Sequence, residues 1–589
     1  MSKKETGYDL NVLKKLLGQT KAYRGIFVFV LLAAILTSAF AVARPYFLQY
    51  AIDKGIFEKN AEVLINYTTL MIIVLLLEVF SQVFFTYYAN WLGQHVIKDM
   101  RVQLFERVLG FRMQYFDNSA VGRLVTRTVS DVQKIAEIFS QGLFTIVSDV
   151  LKMTAIVVFM LYKSWQLTVL VFSVLPIIIY ATRLFHKKMK TAFEQVRSEV
   201  ANLNTFVQEH ISGMKIVQIF AREEAEFKKF KAINERHKNA WVKTVWYNSI
   251  FFPVAELCSS IAIGLLVWYG GVKTLESNVI TIGLIVTFIQ LSYMLFRPLR
   301  QIADKFNTLQ MGIVAAKRVF GVLETNDALS ENVTNQLTNV NGVIEFRDVR
   351  FSYIPDEEVL KGISFTVEQG QTMAIVGATG AGKSTIVNLL NRFYDINAGQ
   401  IFIDDVDIHS LSLKNLREHI AIVLQDVFLF ADSIYQNITL GNPKITKEQV
   451  IAAAKEIGVH DFIMELPGDY DYNVKERGSM LSSGQRQLIS FLRAYVTKPN
   501  ILVLDEATSS VDSYSEQLIQ NATEKITADR TSIVIAHRLA TIKKADVILV
   551  MEQGKIVEKG THASLLKNQN GYYRKLYDVQ FAELDKKVG

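Results

Sequence analysis

Two runs, LMIIVLLLEVF at 70–80 and LTVLVFSVLPIII at 167–179, constrain this chain more than any other feature. A helix built from either is apolar on every face, so it belongs in lipid or deep inside a very large core. Six such stretches occur, near 25–50, 64–90, 142–162, 165–186, 248–270 and 279–299. Each is long enough to cross a hydrocarbon layer of about 30 Å, which takes roughly 20 apolar residues. Half of all residues are hydrophobic, and mean hydropathy is +0.21. That apolar content is concentrated in residues 25–300, and the charge-rich remainder reads as a water-soluble α/β domain.

Lysine and arginine near the span ends set orientation. Lys3, Lys4, Lys14, Lys15, Lys21 and Arg24 precede the first span, and Arg183, Lys187, Lys188 and Lys190 follow the fourth. The short connections after spans one, three and five hold few basic residues. The N-terminus, both long connections and the C-terminal domain are therefore expected in the cytoplasm, as an even span count also requires. The polar, Lys-rich start argues against a cleavable signal peptide. A formal net charge of +7 is modest for 589 residues and gives no case for a nucleic-acid partner. The single cysteine, Cys258, excludes internal disulfides and reads as a small packing residue.

The long connections, 91–141 and 187–247, carry apolar residues at helical spacing, as in VIKDMRVQLFERVLGF. They read as span helices that run on beyond the membrane and return, since structureless loops of that length are rare. Each has one polar break, QYFDNSAVGRL (114–124) with Gly122 and VQEHISGMKIV (207–217) with Gly213, placed to touch the soluble domain. Arg44, Glu78, Asp149, Lys152 and Glu256 fall within or beside spans, where ionisable groups are costly. They either line a polar cavity or bond helix to helix; Asp149 and Lys152, three residues apart, are placed to satisfy one another.

Past residue 342 the pattern changes to short β-rich runs. TMAIVG (372–377) leads into GATGAGKST (377–385), which fits G-x-x-x-x-G-K-[ST] with a strand before it and the helical run IVNLLNRF after it. In such a loop the backbone N–H groups of Gly377, Ala378, Thr379, Gly380, Ala381 and Gly382 wrap phosphates at a helix N-terminus. Lys383 reaches the β/γ-phosphates, Ser384 offers a hydroxyl to Mg2+, and Thr385 completes the motif. The run ILVLDEAT (501–508) then presents Asp505 to the magnesium shell at a buried strand end, with Glu506 placed to orient or deprotonate water.

Together with LSSGQ (481–485) ahead of ILVLDE, these motifs resemble the ATP-binding cassette of ABC transporters. The resemblance implies that Ser482, Gly484 and Gln485 grip the γ-phosphate of an ATP held by a partner cassette; Ser483 stands where glycine is commoner. It also implies that Tyr353 stacks on adenine, that Gln425 touches magnesium, that His537 contacts the γ-phosphate, and that Asp512 in SSVD (509–512) lies in a dimer-contacting loop. KERG (475–478) resembles the segment preceding the signature, and GKIVEKGTHASLL (554–566) also fits. In the membrane half, YFDNSAVGRLVTR (115–127) and QEHISGMKIVQIFAREE (208–224) resemble the exporter branch's two coupling segments, the second with Glu209, Gly213 and Phe220. FRPLRQIADKFNTLQMGIVAAKRVFGVLE (296–324) resembles its sixth span running into the linker.

The expected architecture is a multi-domain membrane protein: an all-α six-helix transmembrane domain with long cytoplasmic helical extensions (1–325), a linker (326–342) and an α/β P-loop NTPase cassette (343–589). The resemblance implies an ATP-hydrolysing half-transporter in a bacterial inner membrane, using ATP and Mg2+ to export hydrophobic or amphipathic compounds. A lipid flippase of the same build is the alternative, with Arg297 and Arg300 as candidate cationic lining residues. A non-transporting regulator or channel is the remote alternative, opposed by Glu506 and His537. A second half-transporter must supply the other cassette: the full set of nucleotide-handling residues, Glu506 included, is consistent with an identical copy, while the Ser483 variant signature and the coupling segments slightly favour a non-identical partner.

Overall fold

The computed structural model describes residues 10–276, 280–327, 333–338, 340–505, 513–536 and 538–580. These fall into two units: residues 1–109 with 119–326, and residues 110–118 with 327–589. The second unit thus takes in a short segment, 110–118, from within the N-terminal half.

The first unit is helical. Among the described residues, five helical segments are long and apolar enough to cross a membrane: Leu10–Phe57, Ala61–Leu109, Val121–Lys163, Trp165–Ser212 and Glu223–Glu276. The sixth expected span is a shorter apolar stretch, Ile282–Pro298, at the start of the helix Ile282–Leu323. Arg297 lies inside that stretch, and the helix continues past it to Leu323. The long connections are helical as read. Helix Ala61–Leu109 has 49 residues, about 73 Å at 1.5 Å per residue, more than twice a hydrocarbon core. Pro176 near the start of helix Leu175–Ser212 follows a break at Val174, because proline cannot donate into a continuing helix. Gly122 falls inside helix Val121–Thr126 rather than in the turn, whereas Gly213 does separate Leu175–Ser212 from Met214–Ile219.

Small side chains set how closely the first two span helices approach. Ala33, Ala34, Thr37, Ser38 and Ala41 form the buried stripe of helix Arg24–Tyr50. The hydroxyls of Thr37 and Ser81 lie 2.9 Å apart, and Ser81 donates to the Ala33 carbonyl at 3.1 Å. In lipid, close packing and such bonds replace the hydrophobic drive between helices. Leu32, Leu36, Ile72, Leu76 and Phe80 face outward, as lipid contact requires. Cys258 is a packing residue as expected, buried against Ala262 and Leu266. The charged residues pair across helices. Glu78 is buried with Arg44 at 3.9 Å. Asp149 forms its ion pair with Lys305 rather than with Lys152; a partner on another helix supplies tertiary contact that a neighbour three residues along cannot.

The second unit is built on two sheets. The strands are β1 (Ile344–Ser352), β2 (Glu358–Val367), β3 (Thr372–Gly377), β4 (Ala398–Ile403), β5 (Val406–Asp407), β6 (Ile420–Val423), β7 (Ile501–Asp505), β8 (Thr531–Ile535), β9 (Val547–Glu552) and β10 (Lys555–Gly560). One sheet runs β2-β1-β4-β5 and the other β10-β9-β3-β8-β7-β6. In the larger sheet β3 pairs parallel with β8 and β9, and β7 with β6 and β8. Alternate residues of these strands enter opposite cores. Ala374, Val376, Leu502, Leu504 and Val534 join a core with helix Ser483–Val496. Met373, Ile375, Ile501, Val503, Ile533 and Ile535 join one with the helix after the P-loop and the smaller sheet. Burial on both faces is why ILVL and MAIV are continuously apolar rather than alternating.

Candidate functional site: a phosphate loop at the carboxyl edge of the sheet

Because β3, β6, β7 and β8 are parallel, their carboxyl ends share one edge, where open α/β sheets bind ligands. Four predicted elements arrive there: the loop after Gly377, Asp505 ending β7, Gln425 just past β6, and the segment after β8. Register confirms the alignment, with Asp505 opposite Ile535 and Val423 opposite Leu504.

The loop is held tightly. At Gly377 a Cβ would stand 2.3 Å from the Met551 carbonyl oxygen, and at Gly382 (φ +97°) 2.8 Å from Leu360. Both positions need glycine, the second because left-handed backbone strains any other residue. Helix Lys383–Leu390 starts immediately after, so its unpaired N–H groups and dipole face the loop. Lys383 folds back across it, its ammonium donating to the carbonyls of Gly377 at 2.9 Å and Ala378 at 3.0 Å. Burial pushes that ammonium below its ordinary range, and the Asp505 carboxylate draws it partly back. A buried cation whose hydrogen bonds go to neutral carbonyls is a strong anion acceptor. Ser384 is exposed beside it while Thr385 is buried.

Tyr353, just beyond β1, is partly exposed. Its hydroxyl donates to Thr385 Oγ1 at 3.3 Å and accepts from Asn388 Nδ2 at 3.1 Å. Glu506, the loop 509–512 with Asp512, and His537 lie outside the described residues.

The signature residues have a structural role that the motif reading missed. Ser482 caps helix Ser483–Val496 in a reciprocal capping box. Its Oγ accepts from the Gln485 amide at 3.2 Å, and Gln485 Oε1 accepts from the Ser482 amide at 2.9 Å. Gly484 is buried while Ser482 and Ser483 are exposed, so the start of this helix is open to a ligand from outside. The S-x-x-Q spacing was the available signal. The preceding segment is strained: Lys475 has φ +60° and ψ −174°, and Arg477 and Gly478 have φ of +53° and +67°. The first of these is a region that essentially only glycine occupies.

Segment 110–118 belongs to this unit by its bonds. Arg112 pairs with Asp395 at 2.9 Å and donates its amide to Asp327 O at 3.1 Å. Asp117 accepts from the Tyr394 hydroxyl. Of the two polar breaks, the first thus joins the soluble unit directly.

Comparison with known proteins agrees with this architecture. Residues 27–299 match the ABC transporter transmembrane region and residues 360–509 the ABC transporter family. The chain belongs to the ABC transporters, as an exporter-type half-transporter that couples ATP hydrolysis to transport. It is 34% identical to an ATP-dependent lipid A-core flippase of Syntrophus aciditrophicus, over 98% of this chain and 96% of that protein. It is 36% identical to the probable multidrug resistance ABC transporter ATP-binding/permease protein YheH of Bacillus subtilis, over 85% and 75% respectively. A solved structure of a bacterial Atm1-family ABC exporter with ATP bound matches with a TM-score of 0.75 and 29% identity, over 95% of this chain and 98% of that one. A half-transporter works as a dimer in a bilayer, here as a multi-pass protein of the bacterial inner membrane.

Proposed function

We propose that this protein exports hydrophobic or amphipathic compounds by alternating access, with ATP bound between its cassette and that of a second half-transporter. The observation that carries the nucleotide reading is Lys383, a half-desolvated ammonium laid across a glycine loop at a helix N-terminus. Tyr353 takes the adenine, and residues 377–385 take the phosphates. Ser482, Gly484 and Gln485 take the γ-phosphate of the partner's nucleotide. Glu506 orients the attacking water, and His537 contacts the γ-phosphate.

Ser384, Gln425 and Asp505 suit Mg2+, since all three offer oxygen, the ligand a hard cation prefers, at the same sheet edge. When bound, that ion neutralises charge developing on the β- and γ-phosphate oxygens. The cassette and N-terminus face the cytoplasm, and residues 1–325 and 343–589 act as the transport and nucleotide domains joined by linker 326–342. The partner is a non-identical half-transporter. To move a population from 1:99 to 99:1, ATP must favour the closed state by about 5.5 kcal/mol, within reach of two nucleotides each gripped by both cassettes.

A lipid flippase is the second reading, with Arg297 and Arg300 near the end of the sixth span as its candidate cationic residues; Arg297 is exposed, whereas Lys305 further along is matched by Asp149. The test is ATPase stimulation of the purified chain in nanodiscs, with amphipathic drugs and anionic lipids titrated separately. Stimulation by drugs at fixed lipid supports the multidrug reading, and stimulation by lipid alone replaces it with the flippase. If the chain binds ATP yet turns over only once a second half-transporter is added, the non-identical pairing holds; full turnover alone refutes it.

A further inference from the structure

Tyr394 lies in a short stretch, FYD, that no motif claims. Its ring meets Tyr353 edge to face, with centroids 5.0 Å apart and planes at 89°. Phe351 closes the cluster, 4.7 Å from Tyr353 at 87° and 5.8 Å from Tyr394 at 62°. Tyr353 is therefore set by two near-perpendicular rings and by Thr385 and Asn388 at its hydroxyl. The far end of Tyr394 is also fixed. Its hydroxyl donates to Asp117, the last residue of helix Met113–Asp117. Burial and that carboxylate both push the hydroxyl upward from its ordinary value, which keeps it a donor. The next residue, Asp395, is held by Arg112 just ahead of the same helix. One ring thus touches Tyr353 with its face or edge and segment 110–118 with its hydroxyl.

We infer that Tyr394 is a positioning residue for adenine recognition, orienting Tyr353 under the control of Asp117, so that affinity for the base depends on the segment 110–118. This rests on the proposed stacking of adenine on Tyr353. The physical argument is that edge-to-face pairs have a preferred geometry and an energy beyond area burial. Rotating Tyr394 away from Asp117 turns the shelf on which a base must lie flat. The cluster reaches the phosphate loop only through the Tyr353 hydroxyl, at Thr385 and Asn388; the backbone N–H groups and Lys383 that take the phosphates are not part of it.

The test is displacement of a ribose-labelled fluorescent ATP analogue from the full-length chain in nanodiscs, by ATP and by inorganic tripolyphosphate, which has no base. Tyr353→Leu is expected to weaken ATP several-fold and leave tripolyphosphate unchanged. Tyr394→Leu is expected to weaken ATP by about two- to tenfold, the range of an aromatic pair, again sparing tripolyphosphate. Tyr394→Phe and Asp117→Ala should each weaken ATP less than Tyr394→Leu and by the same factor, and their combination should be no worse than either alone. If Tyr353→Leu changes nothing, the adenine reading itself falls and this inference with it. If Tyr353→Leu weakens ATP but Tyr394→Leu does not, or weakens tripolyphosphate equally, only the positioning role is overturned. Additive effects of Tyr394→Phe and Asp117→Ala overturn the link to Asp117.

Discussion

Ser482 carries two roles that substitution can separate. Its hydroxyl accepts the Gln485 amide at 3.2 Å while Gln485 answers at 2.9 Å, and the proposal also points that hydroxyl at a partner's γ-phosphate. Ser482→Ala removes the cap at an exposed helix start, which costs about 1 kcal/mol, within a range of roughly 0.5–2. In a local opening equilibrium that is about a fivefold change, since about 1.4 kcal/mol is tenfold. Hydrogen–deuterium exchange without nucleotide should therefore show the amides of Gly484 to Gln487 exchanging about fivefold faster, with distant cassette helices unaltered. Ser482→Asp keeps a good cap and should exchange like the parent, yet its carboxylate repels the phosphate, so turnover should fall by an order of magnitude or more. Unchanged exchange in the alanine variant would show that the cap does not hold this turn. Parental turnover in the aspartate variant would show that the side chain does not face phosphate.

Other expectations follow from single residues. Lys475→Gly should stabilise the chain by up to about 2 kcal/mol, the strain of about 1–3 kcal/mol less the roughly 0.5–1 kcal/mol that glycine's freedom in the unfolded chain costs; a lower melting temperature would contradict it. Burial lowers the Lys383 pKa from 10.5, so the unfolded chain binds more protons between that lowered value and 10.5. Nucleotide-free stability should then rise with pH across that window, a slope that Lys383→Met abolishes; an identical slope in both proteins would refute the desolvated ammonium. Phe220, an exposed aromatic at the end of helix Met214–Ile219, should uncouple hydrolysis from transport when changed to Ala. Efflux per ATP equal to the parent's would remove that segment from the coupling path.

What could be read from sequence was local. The P-loop was legible because its strand, glycines, lysine and helix are contiguous, and Asp505 because ILVL, downstream of a P-loop, reads as a buried strand whose end is less buried. Spans were legible where apolar runs were long, as in Ala61–Leu109 and Glu223–Glu276. Pairings between distant residues were not legible. Asp149 had a lysine three residues away and a better-placed one, Lys305, on another helix. Tyr394 carried no periodicity or motif, and its importance comes only from meeting Tyr353 and Asp117 in space. The left-handed backbone at Lys475 and Arg477 falls on residue types that give no warning of it. The capping box was in plain view as Ser482 and Gln485, hidden because a functional reading had already claimed both residues.

ATP-driven export is the one activity that joins the spans to Lys383. Inverted membrane vesicles from cells overproducing this chain together with a second half-transporter, given a fluorescent amphipathic cation outside, measure it most directly. Uptake into the vesicles should require ATP and Mg2+ and should vanish with Lys383→Ala, while the variant chain remains in the membrane at the parental level. ATP-dependent uptake that persists undiminished in that variant would contradict it.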